Sequence, residues 1–133
     1  MKKLSIFTVS FFLIFWGLQL DSAELKEKEV MVEISGAYIP ARFDSRSEAY
    51  VIVSGVFQNG CYKWKKAEVV HLNPTTHEIR SYATVSQGMC LMVLVPFLEE
   101  IPLGQLQTGT HKLRFVSDDG TYLEKSLNIE ESV

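Results

Sequence analysis

Three adjoining stretches decide the fold: residues 61–72 (CYKWKKAEVVHL), 73–76 (NPTT) and 77–85 (HEIRSYATV). Two runs rich in Val, Ile, Tyr and Trp flank a turn of Asn, Pro and Thr, the composition of a β-hairpin with a four-residue connection. Pairing Leu72 with His77 sets Val70 opposite Ile79, Lys66 opposite Ala83 and Trp64 opposite Val85. One face then carries Trp64, Val70, Leu72, Ile79, Ala83 and Val85, and is expected to meet a core. The other carries Lys65, Val69, His71, Glu78, Arg80, Tyr82 and Thr84, and is expected to be wet. One-sided alternation of this kind belongs to an antiparallel sheet with one covered face. An unbroken strand leaves Cys61 on the wet face, which a bulge or bend near Asn59-Gly60 would correct.

Outward from the hairpin the same grammar repeats. On the N-terminal side, strands are expected over Val30–Ser35 and Ala37–Phe43, with Pro40 marking an edge or bend because it cannot donate to a ladder. Ala49–Phe57 (AYVIVSGVF) is apolar on both parities, as a central strand is. On the C-terminal side, Met89–Val95 (MCLMVLV) is also apolar on both parities and is expected to be deeply buried. An extended segment from Pro96 to Leu103 follows, and a corner from Leu103 to Gly109. His111, Leu113 and Phe115 alternate with Lys112 and Arg114, and Leu123, Leu127 and Ile129 mark the inner face of a last strand. Asp44–Ser47 and Ser117–Gly120 are polar turns. About seven to nine strands in roughly 100 residues predict an all-β, immunoglobulin-like antiparallel β-sandwich.

The chain has 133 residues and reads as one domain behind a leader. Met1-Lys2-Lys3, an apolar run from Leu4 to Leu20 and the small residues of Asp21-Ser22-Ala23 follow the order of a secretory signal peptide. Residues 1–23 are therefore expected to be removed, 24–29 to form a flexible lead-in, 30–129 the sandwich and 130–133 a tail. The alternative is a retained membrane anchor, since the apolar run sits at the lower edge of the roughly 17–25 residues that span a bilayer. Only in that case is a membrane a partner. Setting Lys2, Lys3 and Asp21 aside leaves 11 basic and 15 acidic residues, a net charge of −4. Such a surface has no electrostatic reason to hold nucleic acid or anionic lipid. An even pair of cysteines, Cys61 and Cys90, in an exported chain reads as one disulfide, with free thiols or a metal pair as alternatives.

Three segments carry a resemblance. Residues 53–62 (VSGVFQNGCY) follow a G-x-(F/Y)-x-N-x-C-Y pattern, 88–97 (GMCLMVLVPF) a G-x-C-L-x-x-L-V-P-F pattern, and 103–111 (LGQLQTGTH) an L-G-x-L-x-x-G-x-(Y/H) pattern. In this order the chain resembles uncharacterised exported bacterial β-sandwich proteins with paired cysteines, over about Ile34 to Ile129. The resemblance implies a sandwich and a structural Cys61–Cys90 bridge, and implies no activity. His111 is similar in position to the tyrosine corner of immunoglobulin-like domains, and a ring nitrogen could make the same tie to nearby backbone.

Chemistry-bearing patterns are scarce. His71, His77 and His111 have no metal-motif spacing, and the hairpin register sets His71 and His77 on opposite faces, so no metal site is expected. Met89-Cys90-Leu91-Met92 offers soft ligands for copper(I), but Met is ordinary core filler and a bridged Cys90 cannot ligate. Asp44–Glu48 and Asp118-Asp119-Gly120 lack the alternating oxygen ligands of a calcium loop. Glu99-Glu100 and Glu130-Glu131 are adjacent pairs that do not converge, and no nucleophile elbow is present. No cofactor and no catalysis are therefore expected. The expected role is a non-catalytic binding or structural module whose partner is another protein at the periplasm or cell surface. Its candidate surfaces are the loops Asp44–Ser47, Asn73–Thr76 and Ser117–Gly120 and the wet face with Lys63, Lys65, Glu78, Arg80 and Tyr82. Pro40 and the lysines around Lys63 would guard exposed strand edges. The alternatives are a secreted protease inhibitor using Asn73–Thr76 as its loop, or a small metal carrier or enzyme.

Overall fold

A computed structural model describes residues 27–132; the expected signal peptide lies outside the described residues. Nine strands follow in order: β1 (Lys28–Val32), β2 (Gly36–Tyr38), β3 (Phe43–Asp44), β4 (Ala49–Phe57), β5 (Tyr62–Asn73), β6 (Thr76–Val85), β7 (Val95–Gly104), β8 (Gly109–Val116) and β9 (Tyr122–Glu130). They form two sheets. In the larger, β5 pairs with β6 along its length. On its other side β6 pairs with β1 through Ser81–Val85 and with β8 through Thr76–Arg80, and β9 and β3 continue outward from β8. The smaller sheet runs β2-β4-β7. Most pairings are antiparallel; β6–β8 and β3–β9 are parallel joins.

The core lies between the sheets and follows the period-2 alternation of their strands. Ile79 and Ala83 of β6, Leu113 and Phe115 of β8, and Leu127 and Ile129 of β9 face Val51, Val53 and Phe57 of β4 and Phe97, Ile101 and Leu103 of β7. Gly55 continues the inward row of β4. A Cβ there would overlap the ring of Phe97 and stand 3.0 Å from the Glu33 carbonyl oxygen, so the bare backbone makes room for an aromatic stack of Phe97 on Phe57.

The hairpin differs from expectation in its register. A bulge between Trp64 and Lys66 turns both Lys65 and Lys66 outward. Beyond it the parity of β5 is reversed: Val69 pairs with Ile79 and His71 with His77. Trp64 packs on Phe97 as a core residue, but Val70 and Leu72 are 47% and 49% exposed. The strands also run closer to the turn, leaving only Pro74 and Thr75 between them.

A larger correction concerns Met89–Val95, expected as a buried strand. Both edges of β4 are taken, by β2 and β7, and both edges of β6 by β5 and by β1 with β8. No central place is left for a further strand, and the chain enters β7 only at Val95. Residues 86–94 are a loop.

Candidate functional site

The loop presents an unusual surface. Met89 is fully open to solvent, and Leu91, Met92, Val93 and Leu94 are 54–82% exposed. Two links hold this apolar run to the sandwich. Cys90 is bonded to Cys61 at the start of β5, with Cα atoms 5.2 Å apart, and the Gly60 amide donates to the Leu91 carbonyl at 2.9 Å. Asn59 shapes the anchor, its side-chain oxygen accepting from the Cys61 amide at 2.9 Å. Cys61 is buried, while Cys90 stands at the base of the loop. The bridge therefore staples a surface loop to the end of the sandwich and does not cross between buried strands. From Leu94 the chain passes straight into β7, whose Pro96 lies opposite Val56 and whose Leu98 lies opposite Ser54. Val56 and Leu98 are 56% and 70% exposed, so the outer face of the small sheet carries apolar surface too. The residues were legible as apolar; their exposure was not, because alternation-free hydrophobic runs read as buried.

The second feature sits at the β5–β6 turn. Reversal of the β5 parity brings the three histidines into one hydrogen-bonded row, where the sequence register had set His71 and His77 apart. His71 Nδ1 is 2.6 Å from His77 Nδ1, His77 Nε2 is 2.8 Å from His111 Nδ1, and His111 Nε2 is 2.7 Å from the Gln107 carbonyl oxygen. A carbonyl only accepts, so His111 donates through Nε2 and accepts at Nδ1. His77 must then donate through Nε2, which leaves its Nδ1 lone pair toward His71. His77 and His111 are buried; His71 is exposed. Burial, with the neighbouring His71 and His111 imidazoles opposing a positive charge on the ring, pulls the pKa of His77 down to about 4. The His111–Gln107 bond is a tie from a ring nitrogen to nearby backbone, of the kind a histidine could make at that position. Beside the row opens a cleft of about 460 Å³ lined by His71, Asn73, Pro74, His77, Gln105, Leu106 and Gln107.

The remaining candidates are turns and solvated surface. Asp44 accepts from the Ser47 hydroxyl and from the Arg46 and Ser47 amides, all at 2.9 Å, and these bonds hold its carboxyl below the usual range. Asp119 is held the same way by the Thr121 hydroxyl and amide. Asn73–Thr76 is bound down by Asn73 Oδ1, which accepts from the Thr75 amide, and by the Lys112 amide donating to the Thr75 carbonyl at 2.8 Å. On the wet face Lys65 pairs with Glu29, Lys66 with Glu29 and Glu68, and Arg80 with Glu78, while Lys66 also stands over the Tyr82 ring. Exposed pairs of this sort contribute little to stability.

Two sheets packed on one core with a single disulfide define a β-sandwich domain, and the disulfide suggests an oxidising, extracellular environment. Residues 51–129, more than half of the chain, match the ORF11 beta-sandwich domain, and the chain belongs to that family. The match begins within β4, so it spans the hairpin, the stapled loop and the histidine row. No curated protein and no solved structure matches the chain.

Proposed function

We propose that this domain is an exported, non-catalytic binding module of the bacterial envelope, and that it grips another protein through the stapled loop Gly88–Leu94. One observation carries the reading: five large apolar side chains stand in water on a segment fixed at its base by a covalent bond. Exposed apolar surface of this kind marks interaction sites. Burying one such side chain gains about 1.5–3 kcal/mol gross. Five can therefore offset much of the roughly 4–15 kcal/mol cost of association. The staple lowers that cost by keeping the loop near its bound shape. A bilayer is the less suited partner. No Lys or Arg occurs from Ser86 to Leu98, and Glu99-Glu100 follow, whereas membrane-seeking surfaces pair apolar side chains with basic ones.

The test compares capture of envelope proteins by the oxidised chain and by a Leu91→Asp/Met92→Asp variant, alongside flotation with lipid vesicles. A protein partner retained by the parent and lost by the variant is the expected result. Equal capture by both, or flotation of the parent with vesicles, would count against the proposal. A protease inhibitor remains the second reading, now favoured at this loop over Asn73–Thr76, because a stapled, fully exposed Met89 presents the main chain as an inhibitory loop does. Inhibition from a protease panel that Met89→Gly abolishes would select it over simple binding.

A further inference from the structure

We propose that the cleft at the β5–β6 turn holds a transition-metal ion of the zinc or copper(II) class between His71 Nδ1 and His77 Nδ1. This inference is independent of the role of the stapled loop.

The row of hydrogen bonds prepares His77 as a ligand. Its Nε2–H is committed to His111, and His111 is committed in turn to the Gln107 carbonyl, so the free lone pair of His77 can only be Nδ1. A ligating histidine whose other ring nitrogen donates to an oriented acceptor is the arrangement that fixes tautomer and aim at metal centres. His71 supplies the second nitrogen. Its ring is exposed and sits beside the irregularity between His71 and Asn73, so its hydrogen can move from Nδ1 to Nε2 without leaving a buried group unpaired. Both ligands remain neutral and the ion takes the place of the hydrogen between them. Bonds of about 2.0–2.1 Å at a tetrahedral angle need nitrogens about 3.3 Å apart. The present 2.6 Å therefore requires the exposed ring to withdraw slightly.

Among the described residues no group of three or more His, Cys, Asp or Glu is placed to hold an ion. The remaining positions fall to water or to a molecule entering the cleft, which makes this an open, exchangeable site. Two imidazoles and no carboxylate in the lining favour zinc or copper(II) over magnesium or calcium.

The experiment uses the oxidised chain without any affinity tag of histidines. Equilibrium dialysis against Zn²⁺, Cu²⁺ and Mg²⁺ is read together with the imidazole nitrogen resonances. One equivalent of Zn²⁺ or Cu²⁺ and none of Mg²⁺ is expected, with the His71 and His77 Nδ1 signals shifted. His71→Ala, on an exposed side chain, should keep the parent's unfolding midpoint and bind at least about 10-fold more weakly. His111→Gln tests positioning: its amide can still face His77, and a loss of affinity about 10–100-fold with the fold retained is expected. Binding undiminished in His71→Ala, or no bound equivalent with the metal in large excess over protein, would overturn the assignment.

Discussion

His77 shows how one side chain ties packing to pH. Its folded pKa, about 4, lies below the ordinary 6.5 because burial and two neighbouring imidazoles oppose a charge there. The unfolded chain therefore binds this proton more readily than the folded one. The stabilisation is complete above about pH 6.5 and is lost as pH falls toward 4, up to about 3 kcal/mol. Urea midpoints measured from pH 7.5 to 4 should fall through that window; a flat profile would show that the row is not buried as described. A second residue-scale prediction concerns Gly55. Gly55→Ala forces a methyl against Phe97 and the Glu33 carbonyl and should destabilise by about 1–3 kcal/mol, seen as a lower denaturant midpoint. The histidine row was hidden from sequence because its members are 6 and 34 residues apart: the parity of β5 decides whether His71 meets His77, and the parallel β6–β8 pairing brings His111 beside His77.

That parity is settled at the level of the hairpin. Unbroken alternation carries Lys66 and Glu68 onto the core face, and the bulge after Trp64 removes both charges from it at the expense of exposing Val70 and Leu72. Burying an unpaired charge costs more than exposing an aliphatic side chain, so the bulged register wins. The doublet Lys65-Lys66 was thus the visible signal, and it is read correctly only by weighing polar penalties beside apolar gains. Two substitutions separate the registers by chemical denaturation. Leu72→Ser should change stability by less than about 1 kcal/mol, being half exposed, whereas Ile79→Ala should cost about 2–5 kcal/mol. Ile79 faces the core in either register, so a loss for Leu72→Ser comparable to that for Ile79→Ala would restore the unbroken hairpin. Edges behave as their composition suggests: β5 is an outer strand bearing Lys63, Lys65 and Lys66, and the edge strand β7 carries Pro96 and Pro102.

For the whole molecule, the two-layer architecture was legible from alternating runs and turn residues, because each strand's period reports which face is covered. The position of Met89–Leu94 was not, since it depends on how many strands already flank β4 and β6. An apolar run without a vacant edge is left outside the sandwich, and the Cys61–Cys90 bridge then fixes where it stands. A Cys61→Ser/Cys90→Ser variant should lose about 3–4 kcal/mol of stability on the chain-entropy view of a loop this long, and should free the loop from its base. Proteolysis confined to residues 86–94 in that variant, and absent from the parent, is the expected pattern. The display of this stapled loop is tested most directly by timed methionine oxidation of the oxidised chain with mass mapping. Met89 and Met92 should oxidise rapidly and well ahead of the half-buried Met31; protection of both at or beyond the level of Met31 would contradict an exposed loop and the binding role built on it.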